Sequence, residues 1–511
     1  MSKVYSKSIS PQYASFFEPI STLEDNYSAY SLKSQAIIKS KSQLMSPWMD
    51  GSTGVPLAWQ QAKGTVIVDQ TDDHTLVVGP TGSKKTRLIA MPTVRTLCCN
   101  GESMIISDPK AEIFNRTGAY LEDKGYSVYV LNIRSPRNGV CWNPLAIPYD
   151  YYCKGDVDTA YEYVNDIAEN LIQSEKSQND PFWDNSAGSF FFGLVLLLFK
   201  YCKDFNIDRE YVHIGNVVNL RNILLTGTNT FQLGKSIRYN AELWSYAKND
   251  PIISSALIGT VETANDTRAG ILSVFDQKIR FFSIQPNLLD MLSRNDIDFY
   301  SIGKKPTAIF IIVPDEKTGY HSLVSLFIKQ SYEFLIHNAQ IEPSGDGFRF
   351  GKLSNRVNYI LDEFSSLPTI RDFPAMVTAA RSRNIRFLLI IQSKHQLIQR
   401  YKEEAETIQT NCNNWIFLTS RELKLLEELS ALCGNDNANP PKPVLSVSHL
   451  QKLSKEDGEA LLLFGRSKPC ITRLADISEY DQDQYDIKRI GERIPLDLKY
   501  LDFKISQSDS E

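Results

Sequence analysis

The residues most able to do chemistry in this sequence form a glycine-rich loop, GPTGSKKT, at positions 79–86. An apolar run, TLVV, precedes the loop and a helix-like segment follows it. This is the context of a phosphate-binding loop of the pattern G-x-x-x-x-G-K-[ST], in which backbone N–H groups and a helix N-terminus hold phosphates. The residues predicted to bind phosphate are Gly79, Pro80, Thr81, Gly82, Ser83, Lys84, Lys85 and Thr86. The alternative interpretation is a glycine-rich turn that arises by chance.

Two residues of this loop have specific predicted roles, and a third departs from the pattern. Lys85 is placed to reach the β- and γ-phosphates of a nucleotide, and Thr86 to ligate Mg²⁺. Because the threonine must directly follow the phosphate-binding lysine, Lys84 stands where the pattern has glycine. The additional positive charge favours a polyphosphate, and we expect the backbone to tolerate the side chain if its φ angle is negative.

A second candidate follows the apolar run VNYIL, where Asp362 and Glu363 stand side by side. An acidic pair directly after a strand is typical of a Walker B motif. Asp362 would hold Mg²⁺, and Glu363 would act as the general base for an attacking water. Alone the pair is weak support, since acidic residues commonly begin loops or cap helices. Together with the glycine-rich loop, it predicts a site for ATP and Mg²⁺.

Further polar residues lie next to predicted strands. Gln392 ends the run RFLLII, where its amide could sense a γ-phosphate, and Arg381, Arg383 and Arg386 precede or begin that run. Phosphoryl transfer needs charge compensation in its transition state, often by an arginine from a neighbouring subunit. Chemistry alone does not choose among the three arginines, which could equally form a solvated helix face. Asp108, after the run SMIIS, could cap a helix or take part in catalysis.

The elements that position these residues are predicted from hydrophobic patterning. Short apolar runs alternate with helical segments over 61–149 and 291–478, as in βαβ units with a mostly parallel sheet. Residues 150–290 show long helical patterns without a convincing strand, so we predict an all-α domain inserted into an α/β nucleotide-binding domain. A polar segment, 1–60, ends in a linker before the first strand, and a charged, irregular tail covers 479–511. Ligands of such sheets bind at the carboxyl ends of the strands.

Composition restricts the functional classes open to the chain. Of its 511 residues, 42% are hydrophobic and 23% are charged, which is typical of a globular protein. The formal net charge of −5 excludes a simple basic coat for nucleic acid, so a DNA contact must come from a local patch or from a ring of subunits. The eight cysteines form no C-x-x-C pair, as expected of free thiols in a reducing compartment. The most apolar run, at 187–199, is shorter than the ~20 residues of a membrane span, so we predict a buried helix.

In their order along the chain, the motifs resemble those of the type IV coupling proteins, the TraG/TraD group of ATPases related to the FtsK/HerA motors. The matching segments lie between about residues 60 and 475 and are GPTGSKKT, SDPKAEIFNRTGAYLEDKGYSVYVLN, WNPL, LDEFSSLP, ARSRNIRFLLIIQS, IQTNCNNWIFL and GEALLLFGR. Proteins of this group deliver DNA and relaxase to type IV secretion channels in bacterial conjugation. The resemblance implies a RecA-like, hexameric P-loop motor with an all-α domain inserted into its nucleotide-binding domain.

The resemblance also implies roles for single residues. The Walker A pair, the Walker B pair and the glutamine of the following strand fall on Lys85, Thr86, Asp362, Glu363 and Gln392. By its position between Walker B and that glutamine, Arg381 best matches the family's arginine that acts on a neighbouring subunit's nucleotide. Lys84 replaces the glycine that is usual in the family.

Partners and location follow from the same resemblance. We expect the chain to bind a relaxase and other relaxosome proteins, DNA without sequence preference, membrane-anchored channel components and further copies of itself in a hexamer. The family's N-terminal transmembrane anchor has no counterpart in this sequence. We therefore expect a protein of the bacterial cytoplasm that another protein recruits peripherally to the inner face of the cell membrane.

Three functions stay open on the sequence. The first is an ATPase that recruits a relaxase–DNA complex and energises DNA transfer. The second is a nucleotide-binding cargo-receptor scaffold with little ATPase activity, which Lys84 and the missing anchor favour and the intact catalytic set opposes. The third is a chromosomal DNA translocase or a packaging motor, with the same motor and another cargo. The segment KSIRYNAELWSYAKN, residues 235–249, is a candidate DNA contact.

Overall fold

The computed structural model describes residues 28–31, 53–172, 181–226, 229–232, 235–314, 318–341, 351–436, 440–465, 467–480, 485–495 and 497–503. These residues fall into two compact units. The first unit takes its residues from 1–130, 299–316 and 332–490, and the second from 131–298, 317–331 and 491–511. The chain therefore enters the second unit three times.

The strands belong to three sheets. They are β1 Ser28–Ser31, β2 Val55–Gln60, β3 Thr65–Asp69, β4 Thr75–Val78, β5 Ser103–Ser107, β6 Ser127–Asn132, β7 Asn229–Gln232, β8 Lys235–Arg238, β9 Thr307–Ile312, β10 Val357–Leu361, β11 Ile385–Ile391, β12 Asn414–Phe417, β13 Glu459–Phe464 and β14 Cys470–Arg473. Within the part of the chain that the structure describes, the main sheet has nine strands in the order β14-β13-β12-β4-β11-β10-β5-β9-β6. From β12 to β9 every neighbouring pair is parallel, and β13 and β14 add an antiparallel edge.

Burial explains why the sequence of this sheet reads as apolar runs. Strands β4, β5, β9, β10 and β11 are buried at every position. A parallel strand covered on both faces has no solvent side, so its residues do not alternate between apolar and polar. The mostly parallel sheet predicted from these runs is confirmed.

Helices cover the sheet and build most of the second unit. They are α1 Met91–Cys98 (preceded by a π-helical turn, Thr86–Ala90), α2 Glu112–Asp123, α3 Ala146–Lys154, α4 Val157–Leu171, α5 Pro181–Asp204, α6 Ile214–Leu225, α7 Ala241–Lys248, α8 Pro251–Val261, α9 Asn265–Ser283, α10 Pro286–Met291, α11 His321–Ile341, α12 Phe373–Ala380, α13 Lys394–Tyr401, α14 Glu404–Asn411, α15 Leu423–Leu432, α16 Val447–Leu450 and α17 Ile477–Tyr480.

Helix α5 forms the centre of the second unit. It contains the apolar run at 187–199 and is long and apolar enough to cross a membrane, but 67% of its most apolar 18-residue window is buried inside the chain. Gly193 lets α8 approach closely, because a Cβ at that position would lie 2.7 Å from the side chain of Leu257. These contacts fit the core helix predicted from the sequence.

The structure corrects the sequence analysis in three places. Strands β1 and β2 lie inside the segment 1–60, before the point where we expected the first strand, and both pair with β3 in an antiparallel sheet. Strands β7 and β8 form a two-stranded sheet inside the segment predicted to be all-α. The first segment of the second unit covers residues 131–298, whereas we predicted a helical domain over 150–290. Four-residue strands such as SAYS are too short to produce a readable pattern.

Candidate functional site

The glycine-rich loop begins where β4 ends. The N–H of Gly79 donates to the carbonyl of Ile391 in the neighbouring strand β11, at 3.1 Å. A Cβ on Gly79 would lie 2.5 Å from Ser83 Oγ, so a side chain at this position would force the Ser83 hydroxyl to move. Gly82 has a φ of +82°, a conformation that favours glycine. The hydroxyl of Ser83 is buried and has no hydrogen-bond partner within the described chain.

Lys84 has a left-handed backbone, with a φ of +64°. Our expectation of a negative φ was wrong, and the angle explains why the pattern has glycine at this position. The Lys84 ammonium forms an ion pair with Glu456 Oε2 at 2.8 Å. Glu456 precedes β13 and its side chain is 79% exposed, so the pair lies at the surface.

Lys85 folds back onto its own loop. Its Nζ donates to the carbonyl oxygens of Gly79, at 2.6 Å, and Pro80, at 3.1 Å. Burial lowers the pKa of this ammonium, and the nearby carboxylates of Glu363 and Asp362 oppose that effect. The Lys85 ammonium can therefore exchange these two carbonyl oxygens for the oxygens of a bound phosphate.

Thr86 and Asp362 meet at the edge of the sheet. Thr86 Oγ1 donates to Asp362 Oδ2 at 3.2 Å, and the N–H of Glu363 donates to Asp362 Oδ1 at 3.0 Å. Burial, assisted by the charge of Glu363, raises the pKa of Asp362 to about 6. The hydroxyl and the carboxylate, predicted separately from two distant motifs, thus form one oxygen cluster.

Glu363 and Gln392 complete this cluster. Gln392 follows β11, and its Nε2 donates to Glu363 Oε2 at 2.5 Å. Glu363 has a φ of +58°, an unusual backbone for a residue other than glycine and one that is found most often at functional sites. The loop, the acidic pair and the glutamine therefore meet at the carboxyl ends of β4, β10 and β11, and β11 pairs with both β4 and β10.

The chemistry of this cluster fits a nucleotide with Mg²⁺. The loop supplies backbone N–H groups, a lysine and the unpaired hydroxyl of Ser83, which suit phosphate oxygens. The residues that the structure describes contain no group of three or more His, Cys, Asp or Glu suited to a metal ion. One carboxylate and one hydroxyl are nevertheless sufficient for Mg²⁺ when a bound phosphate supplies further oxygen ligands.

The arginines lie at the other end of the sheet. Arg386 is buried and donates to Asn358 Oδ1 at 2.8 Å and to the carbonyl of Asp69 at 3.1 Å, so its role is structural. Arg381, by contrast, has a side chain that is 48% exposed and pairs with Asp73 Oδ1 at 3.0 Å. Strand β11, with seven residues of ~3.3 Å each, places Arg381 about 20 Å from Gln392. The structure therefore does not bring Arg381 to the phosphate loop of its own chain.

Comparison with known proteins places this chain in a family. The family model for conjugative DNA transfer by the type IV secretory system matches residues 23–440. The chain belongs to this family. It is 24% identical over 420 residues to the conjugal transfer protein TraG of Escherichia coli, covering 79% of this chain and 58% of that protein. It is 23% identical over 452 residues to the protein VirD4 of Rhizobium radiobacter, covering 86% of this chain and 58% of that protein. The chain thus spans just under three-fifths of the length of these relatives.

Solved structures confirm the fold class. The plasmid coupling protein TrwB in complex with the non-hydrolysable ATP analogue ADPNP superposes with a TM-score of 0.54 at 17% identity, over 84% of this chain and 90% of that one. TrwB in complex with ADP and Mg²⁺ superposes with a TM-score of 0.53 at 18% identity, over 83% and 87%. The fold is a RecA-like α/β nucleotide-binding domain with an inserted helical domain, and the predicted resemblance to type IV coupling proteins is confirmed.

Two family motifs have structural roles. For Asp108 it is the helix cap that the sequence analysis offered as one alternative, and for WNPL it is a set of contacts that was not predicted. Asp108, from SDPKAEIF, accepts a hydrogen bond from the N–H of Phe114 at 2.8 Å and so holds the first turn of α2. Burial raises the pKa of this carboxyl to about 7. In WNPL, Trp142 donates to Gln330 Oε1 at 3.2 Å and Asn143 donates to the carbonyl of Val212 at 2.7 Å, within the second unit.

Two further residues have partners that the sequence analysis did not anticipate. The ring of His74 lies between the carbonyl of Val377, 2.8 Å from Nε2, and the N–H of Phe387, which donates to Nδ1 at 3.0 Å. In the candidate DNA segment, Trp244 is 2% exposed and donates to Glu262, so its ring is not free to stack on a base. A hydrogen-bond partner distant in sequence leaves no local signal, which is why neither role was predicted.

Proposed function

We propose that the chain is the ATPase coupling protein of a type IV secretion or conjugation system, which recruits relaxase–DNA substrate to the channel and energises DNA transfer. The observation that carries this proposal is the contact of Thr86 Oγ1 with Asp362 Oδ2 at 3.2 Å. It joins the phosphate loop to the acidic pair, and the glutamine contact to Glu363 completes the set. A solvated turn and an unrelated helix cap would have no reason to meet in this way.

ATP would bind through the backbone and side chains of the loop. Lys85 would exchange the carbonyl oxygens of Gly79 and Pro80 for the β- and γ-phosphates. Thr86 and Asp362 would hold Mg²⁺, which neutralises phosphate charge when it is bound. Ser83 would donate its unpaired hydroxyl to a phosphate oxygen.

Hydrolysis would then depend on Glu363. Its carboxylate accepts a proton from the attacking water, whose oxygen bonds to the γ-phosphorus while the bond to the β–γ bridging oxygen breaks. Gln392 holds Glu363 in position through the 2.5 Å hydrogen bond. Arg381 of a neighbouring copy would stabilise the developing charge, since the Arg381 of the same chain lies at the far end of β11.

This activity implies an assembly and a place of action. We infer a hexameric ring in the active state that moves single- or double-stranded DNA without sequence preference. The chain would work in the bacterial cytoplasm at the inner face of the membrane, beside membrane-anchored channel components. Its cargo would be a relaxase together with other relaxosome proteins.

The direct test is ATP hydrolysis by the purified chain, with and without single-stranded DNA, beside Lys84→Gly and Lys85→Ala. We expect Mg²⁺-dependent turnover that DNA stimulates and that Lys85→Ala abolishes. Normal hydrolysis by Lys85→Ala would show that the loop is assigned wrongly.

The second candidate function is a nucleotide-binding cargo-receptor scaffold with little turnover. Two features of Lys84 favour this function: its left-handed backbone, which glycine adopts without strain, and its ion pair with Glu456. Both restrain the phosphate loop in a way that a glycine at this position does not. In that case the natural chain is silent and Lys84→Gly restores hydrolysis. Relaxase binding that needs no ATP would support the same conclusion.

A further inference from the structure

A groove on the second unit holds an extended stretch of the chain's own tail, residues 497–503. Leu501 and Phe503 are buried in it, whereas Tyr500 and Asp502, the residues that precede each of them, are exposed. This alternation is typical of an extended peptide that lays one face on a surface. The ring of Phe503 packs against Tyr201 of α5, with ring centroids 5.0 Å apart.

Helix α6 contacts the backbone of this segment through asparagine side chains. Asn216 donates from Nδ2 to the carbonyl of Lys499 at 3.0 Å and accepts at Oδ1 from the N–H of Leu501, also at 3.0 Å. One turn further, Asn219 donates to the carbonyl of Leu501 at 2.7 Å. His213 Nε2 lies 3.0 Å from the Lys499 carbonyl. Hydrogen bonds to the main chain are made with any sequence, so these side chains recognise an extended backbone as such.

Three side chains of the segment add sequence preference. Leu501 and Phe503 fill the buried positions, and the ammonium of Lys499 pairs with Glu210 Oε2 at 2.6 Å. The ion pair is exposed, so it selects charge and register more than it adds affinity. The groove therefore fits the pattern Lys-x-Leu-x-Phe, with a basic residue, an aliphatic residue and an aromatic residue at every second position.

The segment is held by side-chain contacts and not by regular secondary structure. The described tail residues 485–495 and 497–503 contain no helix or strand, so no regular hydrogen-bond ladder fixes them. Ordering an extended segment carries an entropic cost at every residue, and here only alternate side chains are buried. An extended segment of this kind opens at a lower free energy than the helices of the core, so it is the part of the groove that can be exchanged.

We propose that this groove is a binding site for an extended peptide of a partner protein, and that residues 497–503 occupy it in cis as a displaceable ligand. The partner peptide carries the pattern Lys-x-Leu-x-Phe or its close equivalents. The proposal goes beyond ATP hydrolysis, since the groove residues belong to the second unit and the phosphate loop to the first. Loss of one function leaves the other measurable.

The test uses a fluorescein-labelled peptide of residues 497–503, DLKYLDF, titrated into the full-length chain and followed by fluorescence anisotropy. The natural chain is compared with the full-length double variant Leu501→Ala/Phe503→Ala, whose cis ligand is weakened. We expect the double variant to bind the peptide at least about tenfold more tightly, because an intramolecular competitor lowers the fraction of open groove. Should the double variant fold poorly, the exposed change Lys499→Glu, which opposes Glu210, weakens the cis ligand without loss of buried side chains.

Two variants of α6 locate the binding site. Adding Asn219→Ala to the double variant removes a hydrogen bond to the peptide backbone and is expected to abolish the gain in affinity. Asn222→Ala is the matched control, because Asn222 lies on the same helix, is exposed and accepts from Arg221 instead. It is expected to leave peptide binding unchanged.

Three results would overturn the proposal. The first is no peptide binding to either chain with a weakened cis ligand. The second is equal binding of a control peptide with alanine at the positions of Leu501 and Phe503. The third is concentration-dependent self-association of the natural chain that Asn219→Ala abolishes, since the second occupant would then be another copy of this chain.

Discussion

Lys84 shows how a single backbone angle limits the choice of side chain in the phosphate loop. A non-glycine residue in the left-handed conformation costs about 1–2 kcal/mol, and an exposed ion pair such as that with Glu456 returns at most about 1 kcal/mol. Glycine avoids the strain but loses roughly 0.4–1 kcal/mol through the entropy of the unfolded chain. These effects nearly cancel, so a lysine can stand here without destabilising the fold.

We therefore predict that Lys84→Gly changes the free energy of unfolding by less than about 1 kcal/mol. Lys84→Val is predicted to lower it by up to about 1 kcal/mol through the lost ion pair, in addition to the extra strain of a β-branched residue. Valine is β-branched and fits a φ of +64° worse than lysine does. Urea denaturation of the nucleotide-free chains measures both changes. Equal stability of the valine and glycine variants would contradict the strain argument.

The buried imidazole of His74 makes the stability of the fold depend on pH. Burial lowers the pKa of its imidazole to about 4, further lowered by the charges of Arg381 and Arg386, while Asp73 acts in the opposite direction. Between pH 6.5 and 4 the unfolded chain binds a proton at this ring and the folded chain does not. The contribution of His74 to stability is therefore complete above pH 6.5 and is lost as the pH falls towards 4, by about 3 kcal/mol in total.

The prediction is that the free energy of unfolding of the natural chain falls more steeply from pH 6.5 to 4 than that of His74→Gln. Taking the difference between the two chains removes the contributions of other groups, such as Asp108. His395→Gln serves as the control, because it makes the same substitution at an exposed ring. Parallel curves for the natural chain and His74→Gln would show that the buried ring does not govern acid stability.

At the scale of elements, the packing of α5 against α8 leaves no room for a side chain at one helical glycine and ample room at another. A Cβ at Gly193 of α5 would lie 2.7 Å from Leu257 and 3.0 Å from Ala256. A Cβ at Gly259 of α8 would meet no heavy atom within 4 Å. Inside a helix, alanine is favoured over glycine by the same amount at both positions. The difference between the stability changes of the two Gly→Ala variants therefore reports only the close approach of the two helices.

Gly259→Ala is predicted to raise the free energy of unfolding by about 0.5–1 kcal/mol, the usual gain when alanine replaces glycine inside a helix. Gly193→Ala is predicted to lower it by roughly 1–3 kcal/mol, because α8 must move to admit the methyl group. Thermal unfolding followed by circular dichroism gives the sign of each change. A Gly193→Ala chain as stable as Gly259→Ala would contradict the packing described for these helices.

The sequence predicted the elements whose signal is local and missed those that depend on distant partners. Buried parallel strands such as β10 and β11 are continuous apolar runs. The residues that follow them, Asp362 and Gln392, were placed at the site by their position after a strand, by the Walker B pattern and by the family resemblance. The short strands β1, β7 and β8 carry no such pattern. The left-handed angle of Lys84 had a signal, the glycine that the pattern has at this position, which we did not use. The tail's place beside Asn216 left no local signal, since it depends on residues far away in the chain.

At the scale of the whole molecule, the proposed function needs an arginine that one copy of the chain does not bring to its own phosphate loop. Lys85, Glu363 and Gln392 lie at the carboxyl ends of the strands, while Arg381 lies before β11, about 20 Å away along the strand. Its side chain is 48% exposed and forms an ion pair with Asp73. If the reaction uses Arg381, we expect this residue to come from another copy of the chain, as in our proposed ring.

This arrangement predicts complementation between two inactive variants. Arg381→Ala and Lys85→Ala are each expected to lose at least about 99% of DNA-stimulated ATP hydrolysis, since each lacks a group that acts in the transition state. In mixed assemblies, a subunit with intact Lys85 can receive Arg381 from its Lys85→Ala neighbour. Random one-to-one mixing completes roughly a quarter of the interfaces, so activity returns towards that share of the natural rate. Arg383→Ala in place of Arg381→Ala is the matched control, because it lies in the same turn. If the mixture stays silent while each variant still assembles on DNA, Arg381 does not act between subunits.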